Sequence, residues 1–174
     1  YVGTYNVTDS CWYTINLADN RKIQLTTPQT FPAWDEDSDY PDYPRPHGYA
    51  GWTKEDAALL VYDRYDIWSF DPEGKKAPVK LTKDGREKQV TYRRIVLDRE
   101  QVDIDLKQPM LLTGFNEVDK STGIYRARSS SPANPTLLAG GGYNYGNVMK
   151  AKDADKYIYT RENYEVYPDV WATD

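Results

Sequence analysis

The hydrophobic positions of this chain fall in short runs, and the clearest pair lies at residues 59–71. A first run at 59–62 is separated from a second run at 67–70 by the charged pair Asp63 and Arg64. Runs of about 4–8 residues rich in β-branched, aromatic and aliphatic side chains are typical of β-strands. The pattern therefore predicts a two-stranded hairpin at this place.

Similar short runs recur along the whole chain and predict an all-β fold. Residues that favour turns, such as Asp, Asn, Gly and Pro, separate them. No segment shows the spacing of an amphipathic helix, although residues 55–60 could form one helical turn. Besides 59–63 and 66–71, the predicted strands are 1–6, 10–17, 22–26, 78–82, 90–97, 109–115, 123–128, 135–139, 143–149, 156–161 and 168–174.

One strand sequence recurs roughly every 50 residues, which is the spacing of β-propeller blades. Residues 66–71 align with 11–16, 123–128 and 169–174, and the next strand ends in Leu-Thr after both of the first two copies. We therefore predict a partial β-propeller of three to four blades built from short antiparallel strands. The predicted blades are about 1–30, 31–84, 85–140 and 141–174, and the last one is truncated.

An aromatic residue occupies the same slot of the repeat in Trp68, Tyr125 and Trp171, and we expect it to pack between neighbouring blades. The chain begins and stops within a blade, so we expect an internal fragment of a larger ring. The open edges of such a fragment favour strand pairing between copies, that is, a homo-oligomer. A β-sandwich is the alternative all-β architecture.

Composition agrees with a folded β-rich domain and excludes two kinds of partner. Hydrophobic residues make up 39% and charged residues 28% of the 174 residues, and the 16 Tyr and 5 Trp suit pleated surfaces. The net charge of −5 provides no basic surface for nucleic acid. The sequence has no run of about 18 apolar residues, so it predicts no membrane span.

Residues 31–52 form a long proline-rich segment ahead of the hairpin. Its prolines argue against a helix or a central strand, and a long irregular segment in a compact domain is usually functional. Arg45 and Arg64 could pair with its acidic side chains and fix the segment to the hairpin. The segment carries the densest acidic cluster of the chain: Asp35, Glu36, Asp37, Asp39 and Asp42.

Three interpretations of this acidic cluster are open. It could be a solvated loop, or it could capture the cationic amino terminus of a peptide, since carboxylates form strong hydrogen bonds with ammonium groups. It could also bind Ca²⁺ through the calcium-loop spacing of its first acids, but Tyr40 stands where such a loop needs Gly, and we predict no metal. The candidate substrate-binding residues are Asp35, Glu36, Asp39 and Arg45.

The sequence offers no catalytic residue of its own and indicates no cofactor. A serine hydrolase places its nucleophile in a Gly-x-Ser-x-Gly turn, and this motif is absent from the sequence. The glycines at 140–142 precede no nucleophile, and the single histidine, His47, lies between Pro46 and Gly48. The single Cys11 excludes an internal disulfide and a cysteine metal cluster.

Several blocks of the sequence resemble a known family. The most specific block runs from Trp34 to Pro46, continues through 51–56 and ends at 62–68, and the later segments 111–116 and 159–169 fit as well. On these residues the chain resembles, over nearly its whole length, the N-terminal propeller of bacterial serine peptidases of the prolyl oligopeptidase family. This group includes the dipeptidyl aminopeptidases.

The resemblance implies a non-catalytic propeller that gates and selects peptide substrates for an α/β-hydrolase domain of the same parent chain. In that family the propeller screens substrates by size and can present acidic side chains to a peptide's amino terminus. The resemblance also implies a periplasmic or secreted serine peptidase as the parent protein. The rival hypothesis is a non-enzymatic propeller for protein–protein binding, or for carbohydrate binding through exposed Tyr and Trp side chains.

Overall fold

The protein is all-β in the computed structural model, which describes residues 1–98, 100–128 and 132–173. The described strands form four antiparallel sheets of three or four strands each. The chain divides into two compact units: unit 1 comprises Tyr1–Leu81 and Val102–Asp105, and unit 2 comprises Thr82–Gln101 and Leu106–Asp174. The predicted all-β class is thus confirmed.

Unit 1 contains two sheets whose strands follow one another in chain order. Sheet 1 consists of β1 (Val2–Asn6), β2 (Cys11–Ile15) and β3 (Lys22–Gln24). Sheet 2 consists of β4 (Tyr49–Trp52), β5 (Leu59–Tyr62), β6 (Ile67–Phe70) and β7 (Val79–Lys80). A 3-10 turn at Lys54–Asp56 connects β4 to β5.

Unit 2 repeats this organisation. A single helical turn, α1 (Gly85–Lys88), precedes sheet 3, which consists of β8 (Val90–Arg94), β9 (Met110–Asn116), β10 (Thr122–Ala127) and β11 (Thr136–Ala139). Sheet 4 consists of β12 (Asn144–Lys150), β13 (Tyr157–Glu162) and β14 (Asp169–Ala172). Each strand pairs antiparallel with its chain neighbour, so every sheet is a simple meander.

The predicted strands are present, with their ends shifted by a few residues, but two elements were missed. β4 lies within the segment predicted to be irregular; it is an edge strand with a bulge between Tyr49 and Gly51, a place where prolines nearby are tolerated. α1 lies between the strands predicted at 78–82 and 90–97, and it is too short for a helical periodicity to show in the sequence. The predicted end of the last strand at Asp174 lies outside the described residues.

The core of unit 1 surrounds β5, whose four residues are all buried. Leu59 and Val61 pack with Trp12 of sheet 1 and with Phe31 from the segment that follows it. Sheet 1 approaches closely, since a Cβ built on Gly3 would lie 3.0 Å from a methyl carbon of Leu59. A strand buried on both faces reads as an unbroken apolar run, which explains the sequence of the first half of the hairpin.

The core of unit 2 lies on one face of sheet 3. Tyr92 and Leu112 are fully buried there, and the Tyr92 ring packs edge-on against Tyr125 with centroids 5.1 Å apart. The Tyr92 hydroxyl donates to Oδ1 of buried Asp84 at 3.2 Å. A Cβ built on Gly114 would lie 2.3 Å from Cε2 of Tyr125, so the tyrosine ring occupies the space above this glycine.

Two of the recurring aromatic residues, Trp68 and Trp171, have packing partners that the sequence did not identify. Trp68 packs edge-on against Phe31 at 5.4 Å, and Trp171 lies 3.7 Å below the guanidinium of Arg161 on the neighbouring strand. Trp68 also packs against the core cluster of unit 1 that includes Trp12 of sheet 1. No helix among the described residues is long and apolar enough to cross a membrane.

Gly114 provides a test of the packing in sheet 3. We expect Gly114→Ala to lower the free energy of unfolding by about 1–3 kcal/mol, because the new methyl group displaces Tyr125 from Tyr92. Gly146→Ala in β12 is the matched control, since its Cβ would meet only Thr160 Oγ1 at 3.6 Å. Urea unfolding measures both variants, and equal stabilities would contradict this account of the tyrosine packing.

Candidate functional site

The acidic segment is a closed loop with a paired neck. The backbone N–H of Asp35 donates to the carbonyl of Arg45 at 2.8 Å, and that of His47 donates to the carbonyl of Ala33 at 3.0 Å. Trp34 forms an antiparallel bridge with Pro46 between these two bonds. Residues 35–45, which we call the acidic loop, therefore leave and re-enter the domain at one point.

The core of unit 1 fixes the neck in place. Phe31 is 4% exposed and Ala33 is fully buried. The Phe31 ring packs edge-on against Phe70 at 5.1 Å, and it also contacts Trp68, so two residues of β6 receive it. Aromatic edge-to-face pairs of this kind contribute about 0.5–1.5 kcal/mol beyond the buried area. The acidic loop is thus attached to the most buried sheet of the unit.

The β5–β6 turn next to the loop is built on a buried carboxylate. Asp63 is 5% exposed, and its Oδ1 accepts hydrogen bonds from the backbone N–H of Tyr65 at 2.8 Å and of Asp66 at 2.5 Å. Its Oδ2 accepts from the indole Nε1 of Trp68 at 2.9 Å. The carboxylate therefore satisfies both the turn backbone and the aromatic side chain that follows.

A second buried acid closes the same turn. Asp66 is fully buried, and its Oδ2 lies 2.7 Å from Nζ of Lys80 on β7. The same ammonium lies 5.8 Å from the centroid of the Trp68 ring. Asp63, which interrupts the apolar runs in the sequence, and Asp66 are thus internal polar contacts of the hairpin.

The turn is joined to the acidic loop by an ion pair. Nη2 of Arg64 lies 2.6 Å from Oδ2 of Asp37, and the Arg64 side chain is 24% exposed. The sequence predicted that Arg64 pairs with an acid of the loop, and this ion pair confirms it. Arg45 was also predicted to pair with these acids, but among the described residues no acidic side chain forms an ion pair with it.

The loop encloses a cleft of about 410 Å³. Of the candidate substrate-binding residues, Asp35 and Arg45 line this cleft, whereas Glu36 and Asp39 are exposed on the same loop outside its lining. Asp42 also lines the cleft; the sequence placed it in the acidic cluster but not among the substrate-binding candidates, and it did not identify the Tyr and Ser members. These members are Ser38, Tyr40 and Tyr43.

The cleft presents two carboxylates and one guanidinium. Oδ1 of Asp35 accepts from the backbone N–H of Asp37 at 3.2 Å, and Oδ1 of Asp42 accepts from that of Tyr43 at 2.7 Å, which leaves each acid a second oxygen. The charge of the lining is −1, and the neighbouring Glu36 and Asp39 add to a negative local potential. Such a cleft attracts a cationic group more strongly than an anionic one.

The calcium spacing noted in the sequence is not assembled into a metal site. Across the described ranges, no three Asp, Glu, His or Cys side chains are grouped so that they could hold a metal ion. Asp37, the central acid of that spacing, points to Arg64 and is engaged with it at 2.6 Å. His47, for its part, belongs to the neck of the loop through its backbone.

Comparison with models of known protein families, with curated proteins and with solved structures found no match.

The Asp63–Trp68 bond is tested by a double-mutant cycle. We expect Asp63→Asn to lower the free energy of unfolding by about 1–3 kcal/mol, because the amide cannot accept hydrogen bonds on both sides as the carboxylate does. The cost should be smaller in a Trp68→Phe background, where the indole donor is already gone. Equal costs in the two backgrounds, measured by urea unfolding, would show that the two side chains do not interact.

The Asp37–Arg64 pair is tested by hydrogen exchange. Asp37→Asn should speed the exchange of backbone amides at 36–44 by roughly 1.5- to 5-fold, as expected for a partly exposed ion pair of about 0.2–1 kcal/mol. Asp39→Asn, which removes the same charge from the same loop, is the control and should leave these rates unchanged. Identical rates in the two variants would mean that the ion pair does not order the loop.

Proposed function

We propose that the four sheets are blades of a β-propeller. Each sheet is an antiparallel meander, and the repeated strand occupies the third place in sheets 2, 3 and 4. Within unit 2, the Oγ1 of Thr122 on β10 donates to the carbonyl of Tyr145 on β12 at 3.3 Å, so consecutive sheets lie side by side. Side-by-side meanders in chain order are the arrangement of propeller blades.

We propose further that this propeller is the non-catalytic part of a prolyl oligopeptidase-type serine peptidase. The supporting observation is the acidic cleft: Asp35, Asp42 and Arg45 line one cleft that the buried hairpin and the Arg64 pair hold in place. The two carboxylates would receive the ammonium group of a peptide's amino terminus. Arg45 would donate to the first carbonyl of the peptide, so that the cleft recognises the amino-terminal end of the peptide.

The construction of the loop favours this role over that of a solvated surface. A binding site gains affinity when its groups are already ordered, since less conformational entropy is lost on binding. Here the neck, the core contacts of Phe31 and the Asp37 ion pair all restrict the loop. Charge-assisted hydrogen bonds to an ammonium group are roughly twice as strong as neutral ones, so two such carboxylates can select for a free amino terminus.

The remaining parts of this proposal follow from the family resemblance. The peptide bond would be cleaved by an α/β-hydrolase domain of the same parent chain, in the periplasm or outside the cell. The propeller would admit peptides of limited size to that domain. Pairing between copies would use open sheet edges such as β14, whose four residues are all exposed.

The proposal is tested on the full-length gene product. A diphenyl phosphonate probe should label one serine, and the protein should cleave chromogenic dipeptide substrates that carry a free amino terminus. Asp35→Asn combined with Asp42→Asn should lower kcat/KM for these substrates about 10- to 100-fold, the cost of losing charged hydrogen bonds. The effect on N-acetylated substrates should be small, because they carry no ammonium group.

Asp153→Asn, an exposed acid of unit 2, is the control for the change in net charge. A full-length protein without a phosphonate-reactive serine would overturn the peptidase assignment and favour a non-enzymatic propeller. Cleavage that is equally affected for free and acetylated substrates would overturn the role of the acidic cleft while leaving the peptidase assignment intact.

A further inference from the structure

Unit 2 contains a second cleft that the proposed function does not use. Its volume is about 530 Å³, within the usual range for small-molecule sites. Three segments line it: 119–121 between β9 and β10, 142–144 at the start of β12, and 162–164 at the end of β13. The cleft therefore lies where the loops of two neighbouring sheets converge.

The side chains of this cleft suit a neutral, hydroxyl-rich ligand. Two carboxylates, Asp119 and Glu162, are balanced in part by the ammonium group of Lys120. Asn144 adds an amide group that can donate and accept hydrogen bonds at the same time. The lining thus has many hydrogen-bonding groups and a charge of only −1, so it does not favour a strongly charged ligand.

Two tyrosine rings complete the lining. Tyr143 packs against Arg161, whose guanidinium carbon lies 4.6 Å from the centroid of its ring. Tyr164 is fully exposed, and in the described part of the chain no ring or cation packs against it. An amphipathic ring in this position offers an apolar face to a ligand, with its hydroxyl left in water.

The segments beside these side chains are ordered by local hydrogen bonds. Oδ1 of Asn163 accepts from the backbone N–H of Glu165 at 3.0 Å and of Val166 at 2.7 Å, while its Nδ2 donates to the carbonyl of Gly142 at 3.4 Å. Asp119 Oδ1 accepts from the hydroxyl and the backbone N–H of Ser121. The first set joins two of the three segments directly, so Tyr164 is presented from a fixed turn.

We propose that this cleft binds a neutral saccharide. A sugar ring has an apolar face of C–H groups, which would stack on the exposed ring of Tyr164. Its adjacent hydroxyls would pair with Glu162 and Asn144, since a carboxylate accepts and an amide both donates and accepts. A peptide or an anion would leave one of these features unused, because a peptide has no ring of hydroxyls and an anion would be repelled by both acids.

This inference is independent of the peptidase proposal. It concerns another cleft in another unit, and it needs neither the acidic loop nor a hydrolase domain. If no saccharide binds here, the proposal for the acidic cleft still stands. If the acidic cleft does not bind a peptide, the saccharide proposal still stands.

The test is saturation-transfer NMR with three neutral trisaccharides as probes: cellotriose, maltotriose and triacetylchitotriose. At least one should bind with a dissociation constant of about 1 mM or tighter, the range expected for a shallow polar cleft. Tyr164→Ala should weaken that binding at least about 10-fold, and Glu162→Gln should weaken it as well. Tyr167→Ala is the matched control, because Tyr167 is also highly exposed on the same turn but lies outside the lining.

Circular dichroism of each variant checks that the fold is kept, which is expected for substitutions of exposed side chains. Binding of a trisaccharide that is lost in Tyr164→Ala and kept in Tyr167→Ala would support the proposal. Absence of binding by all three trisaccharides at about 10 mM would overturn it. Binding that persists unchanged in Tyr164→Ala, or preferential Tyr164-dependent binding of triglycine, would overturn it too.

Discussion

The hydrogen bonds of the buried Asp63 carboxylate are the interaction on which the β5–β6 turn and the acidic loop of unit 1 depend. The carboxylate lies between two apolar strands and accepts hydrogen bonds from the turn backbone and from the Trp68 indole. A charged group taken out of water is costly unless its oxygens are satisfied, so the turn is restricted to a shape that supplies these donors. That shape places Arg64 within 2.6 Å of Asp37 and so orders the acidic loop.

Both clefts lie where simple antiparallel sheets meet the segments that connect or end their strands. The connecting segments, together with the strand ends at Asn144 and Glu162, carry the acids, amides and tyrosines of both clefts. In unit 1 the loop is tied by a core aromatic, Phe31, and by an ion pair. In unit 2 the corresponding order comes from the side-chain amide of Asn163, which bonds to its own turn and to the loop before β12.

The sequence allowed the strands to be predicted well, because short apolar runs bounded by turn residues report strand burial directly. It did not reveal β4 or α1, since an edge strand among prolines and a single helical turn leave no periodic pattern. Asp63 looked like a break in the hairpin, because its partners are backbone groups and an indole that sequence cannot place. The second cleft was missed for a similar reason: its loops are distant in sequence and converge only through the fold.

The most direct measurement is a titration of this chain with two dipeptide amides that differ only in N-acetylation, followed by NMR of the backbone amides. If the acidic cleft receives a peptide's amino terminus, the dipeptide with a free amine should shift the signals of Asp35, Asp42 and Arg45 in a saturable way. The acetylated dipeptide should leave these signals in place. Equal shifts with both ligands, or no shift with either, would contradict the account of the acidic cleft.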